Sequence, residues 1–201
     1  MDKEAKDIIQ ILESLFKYKQ PIFKIMRITG GALKGRQVKI PGGLIRPAMD
    51  KMRESIFAIL GDICGLSFLD LFSGSGIIAL EAASRGAVYI EAVEMDTLKR
   101  KDLLENVKIS PVRIHCRFMP VELYIKRVKK PFDLIFCDPP FPYKYKQELI
   151  KSITESALVK EGSRILIHRP KEDILEKSLE NLTIEDTREY GRSIVDFFKY
   201  F

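Results

Sequence analysis

A short motif that could carry chemistry, Asp138-Pro139-Pro140-Phe141, follows the apolar run FDLIFC at residues 132–137. A carboxylate and a proline carbonyl at the end of a strand can accept the two N–H groups of an exocyclic amine on a nucleobase, so that the lone pair of the amine is oriented for attack. The prolines restrict φ and stiffen the loop, and Phe141 can stack on an extruded base with ~1–3 kcal/mol per base. The motif predicts a site for amine chemistry; the alternative is a rigid turn after a strand.

A second motif, FLDLFSGSG at residues 68–76, joins an apolar run to a helical pattern through small residues. Glycines let a backbone approach a ligand closely, and a helix N-terminus offers N–H groups to an anion or a carboxylate. Gly74-x-Gly76-x-x-Ala79 also fits the dinucleotide fingerprint. Asp70 favours S-adenosylmethionine over NAD, because a carboxylate can accept a hydrogen bond from the cofactor ammonium but would repel a pyrophosphate.

Two further acids follow the next predicted strand, YIEAVE. Glu94 can accept both hydroxyls of an adenosine ribose in a bidentate arrangement; alternatively it is a helix N-terminal charge or half of an ion pair. Asp96 is a second candidate for the cofactor site, or the N-cap of the following helix.

From Ser67 onward, short apolar runs alternate with helical patterns, which predicts an α/β fold with a mostly parallel sheet. The predicted strands are 67–72, 89–94, 112–116, 132–137 and 164–168. The predicted helices are 76–85, 96–107, 119–128, 144–156 and 171–180. Two β-rich runs at 182–190 and 193–201 flank Gly191-Arg192 and predict a closing antiparallel hairpin.

Three smaller elements are predicted before this domain. Residues 2–19 form an amphipathic helix, which either packs on the core or serves as a partner-binding arm. Segments 24–29 and 36–40 flank a glycine-rich turn and predict a basic β-hairpin. A helix at 50–60 ends at Gly61. We therefore divide the chain into an N-terminal helix (1–23), a hairpin and helix extension that contacts RNA (24–61) and the main domain (62–201).

The overall charge is basic, with 34 lysines and arginines against 28 aspartates and glutamates, a net charge of +6 and a pI of about 9.1. This balance is compatible with an anionic partner. The basic residues before the glycine loop are candidates for RNA phosphate contacts, namely Lys34, Arg36, Arg46, Lys51 and Arg53. Arg46 and Arg53 could instead bind the cofactor carboxylate or acidic side chains.

The remaining composition argues against several classes of protein. Cys64, Cys116 and Cys137 are far apart and only two histidines are present, so we expect reduced core cysteines, no disulfide framework and no metal site. We find no apolar run of membrane-spanning length and no signal-peptide pattern, so we expect a cytoplasmic protein without a membrane partner. We also expect it to be a monomer.

With these residues in hand, the chain resembles the class I S-adenosylmethionine-dependent methyltransferases, and within them the RsmD family of small-subunit rRNA guanine-N2 methyltransferases. The resemblance runs from about Lys24 to Phe201 and rests on RITGGALKGRQV, RPAMDKMRESIF, LDLFSGSGIIALEAASRGA, VEMD, DPPF and YGRSIVDFFKY. It implies a Rossmann-like fold and methylation of guanine N2 in the 30S subunit or an assembly intermediate. It places Asp138 to Phe141 around the base. The residues implied around the cofactor are Asp70, Phe72, Gly74, Gly76 and Glu94. We add Ser73 of the glycine loop and Asp96 as further candidates for the cofactor site.

Two departures from the family pattern stand out. Arg117-Phe118 follows the third predicted strand, where many class I enzymes have an acid for the adenine amine, and His168 stands where family members carry Glu. Other functions remain open at this stage: an adenine-N6 or DNA amino-methyltransferase would use nearly the same residues. An NAD-dependent oxidoreductase would leave the Asp138 motif unexplained. A non-catalytic assembly factor would be indifferent to Asp138→Ala.

Overall fold

The computed structural model of the protein describes residues 24–40, 47–176 and 181–201. The predicted N-terminal helix and Arg46 lie outside the described residues.

A seven-stranded sheet forms the centre of the fold, with the strand order β5-β4-β3-β6-β7-β9-β8. The five strands β3 to β7 are parallel, and β9 pairs antiparallel with both β7 and β8. The bounds are β3 Ser67–Leu71, β4 Tyr89–Val93, β5 Ile114–Arg117, β6 Leu134–Cys137, β7 Arg164–Pro170, β8 Leu182–Tyr190 and β9 Ser193–Tyr200. The predicted parallel sheet and closing hairpin are therefore confirmed.

Helices cover both faces of the sheet, so the parallel strands are buried on both sides, as their continuous apolar runs require. The bounds of the helices are α1 Pro47–Leu60, α2 Ile77–Ser84, α3 Arg100–Asn106, α4 Val121–Arg127 and α5 Lys146–Thr154. Side chains of α1 and α2 form one apolar cluster with alternate strand residues such as Phe136 and Leu166. Those of α4 and α5 form the other cluster with Ile135 and Ile167.

The small N-terminal hairpin pairs β1 (Lys24–Arg27) with β2 (Gln37–Ile40) in antiparallel register. Its inner face is buried in the main domain, and the Asn106 side chain both accepts from the Lys39 N–H (3.0 Å) and donates to the Lys39 carbonyl (2.8 Å). At the turn, Gly31 has φ +75°, and a Cβ there would lie 1.9 Å from the carbonyl oxygen of Ser84. Only glycine permits this contact between hairpin and α2.

The helix predicted at 171–180 is wrong for 171–176, which form a turn and irregular chain; 177–180 lie outside the described residues. The backbone of this segment bonds to the neighbouring hairpin and strand instead: the Lys171 N–H donates to the Arg192 carbonyl (3.1 Å), and Arg169 donates to the Asp173 carbonyl (2.5 Å). These tertiary bonds replace the helical ones.

A second correction concerns the cysteines. All three are free, but Cys64 is exposed, whereas Cys137 is fully buried in β6. Among the described residues, no helix is long and apolar enough to cross a membrane, and no group of side chains is arranged to hold a metal ion.

Candidate active site

Four residues lie level with one another at the carboxyl edge of the sheet. Leu71 of β3 pairs with Val93 of β4 and with Cys137 of β6, which in turn pairs with Ile167 of β7. The residues that follow these in their strands therefore form one row, in the order Glu94, Phe72, Asp138 and His168. The reversal of strand order falls between β3 and β6, the place where open α/β sheets bind their ligands.

Asp70 lies two rows deeper in β3 and is almost completely buried. Its Oδ2 accepts hydrogen bonds from the Ser73 hydroxyl (2.6 Å) and the Ala79 N–H in the first turn of α2 (3.2 Å). Burial raises the pKa of the Asp70 carboxyl from 3.8 to about 7, and the charges of Asp138 and Glu94 also raise it, against the opposing effect of these hydrogen bonds. A cation bound nearby would favour the ionised form.

Glu94 is buried, and its carboxylate is held by two backbone amides. Oε2 accepts from the Gly74 N–H and Oε1 from the Asp96 N–H, both at 2.8 Å. The Lys99 ammonium lies 3.6 Å from Oε2. Asp96 itself is the N-cap of the 3-10 turn Thr97–Lys99, accepting from the Leu98 N–H, as one of its two interpretations predicted.

The glycine loop is shaped by internal contacts. Gly74 lines the cleft, and a Cβ there would meet nothing within 4 Å, whereas a Cβ on Gly76 would lie 2.5 Å from Leu103 of α3. Gly76 therefore serves helix packing and lines neither cavity. Phe72 has a left-handed φ of 64°, strained for a bulky residue, and its ring meets Tyr143 edge-on at 5.5 Å.

The amides of this loop argue against the dinucleotide alternative. The N–H groups of Ser73, Gly74 and Gly76 donate within the protein, to the Val93 carbonyl, the Glu94 carboxylate and the Ser73 carbonyl, respectively. A pyrophosphate needs such donors free and would face the Asp70 carboxyl. The loop suits a cofactor that carries an ammonium and a ribose.

A cleft of about 1300 Å³ runs along this edge of the sheet. One end is lined by Gly74, Glu94 and Asp96, the other by Asp138, Phe141 and His168. A smaller cavity of about 190 Å³ adjoins it, between Asp70, Ser73 and Asp138 on one side and the hairpin residues Met26 and Ile40 on the other. The two cavities provide room for a nucleoside, an amino-acid group and a base.

Asp138 is the first residue of the loop after β6, and its N–H donates to the Leu71 carbonyl at the end of β3 at 3.2 Å. This bond fixes the loop beside the glycine loop. The side chain of Asp138 is about one-third exposed (34%), and Oδ1 lies 2.8 Å from His168 Nδ1. Among the described residues, no group donates to Oδ2 or to the Pro139 carbonyl, whereas the Pro140 carbonyl accepts from the Tyr143 N–H (2.8 Å). Two acceptors on adjacent residues are thus available to a ligand.

Two residues that contact this loop were not predicted as functional. His168 contacts Asp138 and meets the Phe141 ring edge-on at 5.5 Å. Lys146, buried at 3% exposure, donates to the carbonyls of Phe141 (3.0 Å) and Tyr143 (2.5 Å) and pairs with Asp173 (2.7 Å). The sequence gives no sign that Lys146 is buried, so its role could not be predicted from the sequence alone.

The predicted RNA-contacting residues fall into two groups. Lys34, Arg36 and Lys51 are exposed. The predicted phosphate contact is wrong for Arg53. This residue is 1% exposed, and its guanidinium donates to Glu81 (3.2 Å) and Asp50 (2.7 Å), so it cannot reach a phosphate. The alternative of acidic partners for Arg53 describes what the structure shows.

Arg117 stands where many class I enzymes have an acid for the adenine amine, and here it forms an ion pair. Its Nε donates to Glu91 of β4 at 2.8 Å. Burial acts to raise the pKa of Glu91, but this and neighbouring hydrogen bonds outweigh it and lower the pKa. Phe118 lies under the Arg100 guanidinium, with 4.6 Å from Cζ to the ring centroid. Neither side chain supplies an acceptor for an adenine amine.

Comparison with known proteins agrees with this geometry. A family model described as Conserved hypothetical protein 95 matches residues 26–199. YlbH of Bacillus subtilis (strain 168) is 30% identical over 181 residues, 87% of this chain and 98% of YlbH. Ribosomal RNA small subunit methyltransferase D of Escherichia coli (strain K12) is 29% identical over 154 residues, 74% of this chain and 76% of that protein. The solved structure of YhhF from Escherichia coli superposes with a TM-score of 0.79 at 25% identity, covering 88% and 98% of the two chains.

The strand order, the glycine loop after β3 and the Asp138 loop after β6 define a protein with the class I methyltransferase fold. The chain belongs to the family described as Conserved hypothetical protein 95, the RsmD family. The predicted family and fold class are confirmed.

Proposed function

We propose that the protein transfers the methyl group of S-adenosylmethionine to the exocyclic N2 amine of a guanine in small-subunit ribosomal RNA. The observation that carries the proposal is the pair of available acceptors, Asp138 Oδ2 and the Pro139 carbonyl, beside the Glu94 end of the same cleft. The relative named ribosomal RNA small subunit methyltransferase D supports the choice of substrate class.

The cofactor would be held at the end of the cleft formed by the glycine loop and β4. Glu94 would accept the ribose hydroxyls. Each of its carboxylate oxygens accepts one backbone N–H and still has a lone pair available for a hydroxyl donor. Asp70 would face the ammonium across the smaller cavity. Phe72 and Met95 supply apolar surface in the cleft for the rest of the molecule.

S-adenosylmethionine would supply an electrophilic methyl group for transfer to the amine nitrogen, with the electron pair of the carbon–sulfur bond left on sulfur. Asp138 and the Pro139 carbonyl would accept the two amine N–H groups and favour the pyramidal amine, whose lone pair is otherwise conjugated with the ring. The nitrogen is cationic after transfer and loses one proton, to Asp138 or to water. Phe141, 42% exposed, would stack on the base.

The hairpin is proposed as the surface that receives RNA. Residues 24–40 contain five lysines and arginines and no acid, and the side chains of Arg27, Lys34, Arg36 and Lys39 are exposed. Met26 and Ile40 line the smaller cavity beside Asp138, so the open end of the hairpin, with Lys39, lies beside the reaction site. Lys34 and Arg36 extend this basic surface to the turn, which packs on the end of α2 through the bond from the Ala32 N–H to the Ser84 carbonyl. Phosphate contacts there would orient the RNA without reading its sequence. The proposal places the protein in the cytoplasm as a monomer that acts on the 30S subunit or an assembly intermediate.

The proposal is tested by incubating the protein with S-adenosylmethionine that carries a labelled methyl group, together with unmethylated 30S subunits, naked rRNA or duplex DNA. The isosteric variant Asp138→Asn is assayed beside the wild type, because it keeps the shape of the loop and loses one acceptor. We expect label in N2-methylguanosine from the ribosomal substrate with the wild type and a loss of ~100-fold or more with the variant. Label in N6-methyladenosine, or in DNA, would replace the substrate assignment, and no transfer to any substrate would overturn it.

A further inference from the structure

We propose that His168 is a positioning residue, which holds the Asp138 carboxylate in the orientation that accepts the amine of the target base. The inference rests on the proposed function, in that it assigns a role to His168 in the same reaction. Two observations support it: the contact between the two side chains, and the buried Nε2 of the imidazole, which has no hydrogen-bond partner among the described residues.

The sheet brings the two residues together. Cys137 and Ile167 pair in adjacent parallel strands, so Asp138 and His168 are the next residues of one row, and strand alternation turns both side chains to the face covered by α1 and α2. Nδ1 of His168 lies 2.8 Å from Oδ1 of Asp138. His168 is buried at 6% exposure, whereas Asp138 is open to the cleft.

The contact fixes the tautomer of the ring. An ionised carboxylate only accepts hydrogen bonds, so the proton of the contact belongs to Nδ1. Nε2 is buried and has no hydrogen-bond partner among the described residues. A cationic ring would bury a charged N–H donor there without a partner, which costs more than an unpaired acceptor. The geometry thus selects the neutral ring with its proton on Nδ1.

The contact with this ring gives the two carboxylate oxygens different roles. Oδ1 accepts from His168, and Oδ2 stays available for the amine. The ring also meets Phe141 edge-on at 5.5 Å, so one buried side chain supports both the carboxylate and the proposed stacking surface. Without His168 the carboxylate could rotate or exchange its bonds with water, and a misplacement of ~1 Å can cost ~100-fold in rate.

The first test compares three substitutions under saturating S-adenosylmethionine and varied 30S subunits. His168→Asn places an amide nitrogen at the same bond distance from Cβ as Nδ1, so it keeps the donor. His168→Phe keeps a flat ring without a donor, and His168→Ala removes both. We expect kcat to fall ~10- to 100-fold for Phe and Ala and to be largely restored by Asn, with KM and cofactor Kd within about twofold of wild type.

A merely structural role predicts a different pattern, in which Phe is tolerated best and the thermal unfolding temperature follows activity. Wild-type kcat in the Phe and Ala variants, or an Asn variant as slow as Phe, would overturn the proposal. Thermal unfolding of each variant separates loss of fold from loss of the donor.

The second test needs no activity. The chain has two histidines, His115 and His168, so ¹⁵N-labelled histidine gives two sets of ring signals, which His115→Gln assigns. We expect His168 to carry its proton on Nδ1 in the wild type and to shift toward Nε2 in Asp138→Ala. A proton on Nε2 in the wild type would overturn the proposal. If wild-type protein methylates no RNA, the proposed function fails, and the NMR result alone decides whether His168 holds Asp138.

Discussion

The backbone N–H of Gly74 donates to the Glu94 carboxylate at 2.8 Å and so joins the loop after β3 to the end of β4. The other carboxylate oxygen accepts from the Asp96 N–H at the same distance. Two amides thus fix the carboxylate in one orientation, at 5% exposure, before any ligand binds. A preorganised acceptor of this kind loses little conformational freedom when it binds ribose hydroxyls.

Glu94→Gln is therefore expected to weaken S-adenosylmethionine binding. The amide nitrogen that replaces one oxygen can accept neither a backbone N–H nor a ribose hydroxyl, so Kd should rise ~10- to 100-fold, as for the loss of one or two hydrogen bonds to a charged group. Titration calorimetry measures the change directly. Glu105→Gln, an exposed acid on α3 paired with Lys108, is the matched control and should bind as the wild type does. Equal affinities for the two variants would remove Glu94 from the cofactor site.

Asp70 should make stability depend on pH. Burial is the main reason that its folded-state pKa is raised from 3.8 to about 7, so the folded protein holds a proton that the unfolded chain releases. Its stabilising contribution is fully present below pH 3.8 and is lost as pH rises through about 7. The free energy of unfolding of the wild type, measured relative to Asp70→Asn at each pH, should therefore fall between pH 3.8 and about pH 7 and level off above it.

Ligand binding supplies the complementary measurement for Asp70. A cofactor ammonium beside the carboxyl favours the charged form, so binding near pH 6 should release a proton and tighten as pH rises. Calorimetry in two buffers of different ionisation enthalpy detects the proton, and Asp70→Asn should abolish its release. A stability difference that does not vary with pH, together with proton-free binding, would contradict the buried, protonated carboxyl.

The main acids of the site were predictable because Asp70 lies near the end of a recognisable strand, and Glu94 and Asp138 each follow one. In a parallel sheet, carboxyl ends meet at one edge, so Asp70, Glu94 and Asp138 could be placed together without knowing the strand order. His168 could not be assigned a role in this way. Its contact with Asp138 depends on β7 lying beside β6, and on β7 continuing in register to the level of Asp138.

Arg53 shows a different limit. A cation on an amphipathic helix is usually solvated, and the prediction of a phosphate contact followed that rule. The helix α2 is buried at every position, including Glu81, and a buried carboxylate needs a cationic partner. The acid within the apolar segment IIALEAAS was the signal that cations are buried beside it, and Glu81 pairs with Arg85 directly after the same helix as well as with Arg53 of α1. The failed helix at 171–176 has a similar cause, since its backbone bonds to the β8–β9 hairpin.

The exposed cations of the hairpin are expected to act through phosphates. Replacing Lys34 and Arg36 together by Ala should weaken binding of small-subunit rRNA and reduce the slope of log K against log salt by ~0.7–0.9 for each phosphate that is no longer bound. Stability should be unchanged, because both side chains are exposed. The measurement is a fluorescence titration at several salt concentrations.

The matched control for the hairpin is Lys160→Ala. Lys160 is half-exposed and contacts Asp133, which precedes β6 and so lies at the amino edge of the sheet, away from the cleft. This variant should keep the wild-type salt slope. An equal loss of affinity per charge removed, two in the hairpin variant and one in the control, would indicate a general effect of net charge rather than a docking surface.

Lys146 is expected to set the geometry of the loop that carries Phe141. Its ammonium donates to the carbonyls of Phe141 and Tyr143 and pairs with Asp173, while only 3% of the residue is exposed. Lys146→Met keeps much of the side-chain volume but removes these donors, so the loop loses the bonds that hold it against α5. Because these hydrogen bonds lie beyond Asp138 and away from Glu94, the substitution should affect the base rather than the cofactor.

We therefore expect Lys146→Met to lower kcat/KM for the ribosomal substrate more than ~10-fold while cofactor Kd changes less than about twofold. The buried carbonyls left without a donor and the unpaired Asp173 should also cost ~1–3 kcal/mol of stability. Lys151→Met on the same helix is the matched control, since Lys151 is 66% exposed and its closest acid, Glu155, is 3.8 Å away. Parallel losses of cofactor and substrate binding in Lys146→Met would show that the loop and the cofactor site are not separable. An effect on stability alone would confine Lys146 to folding.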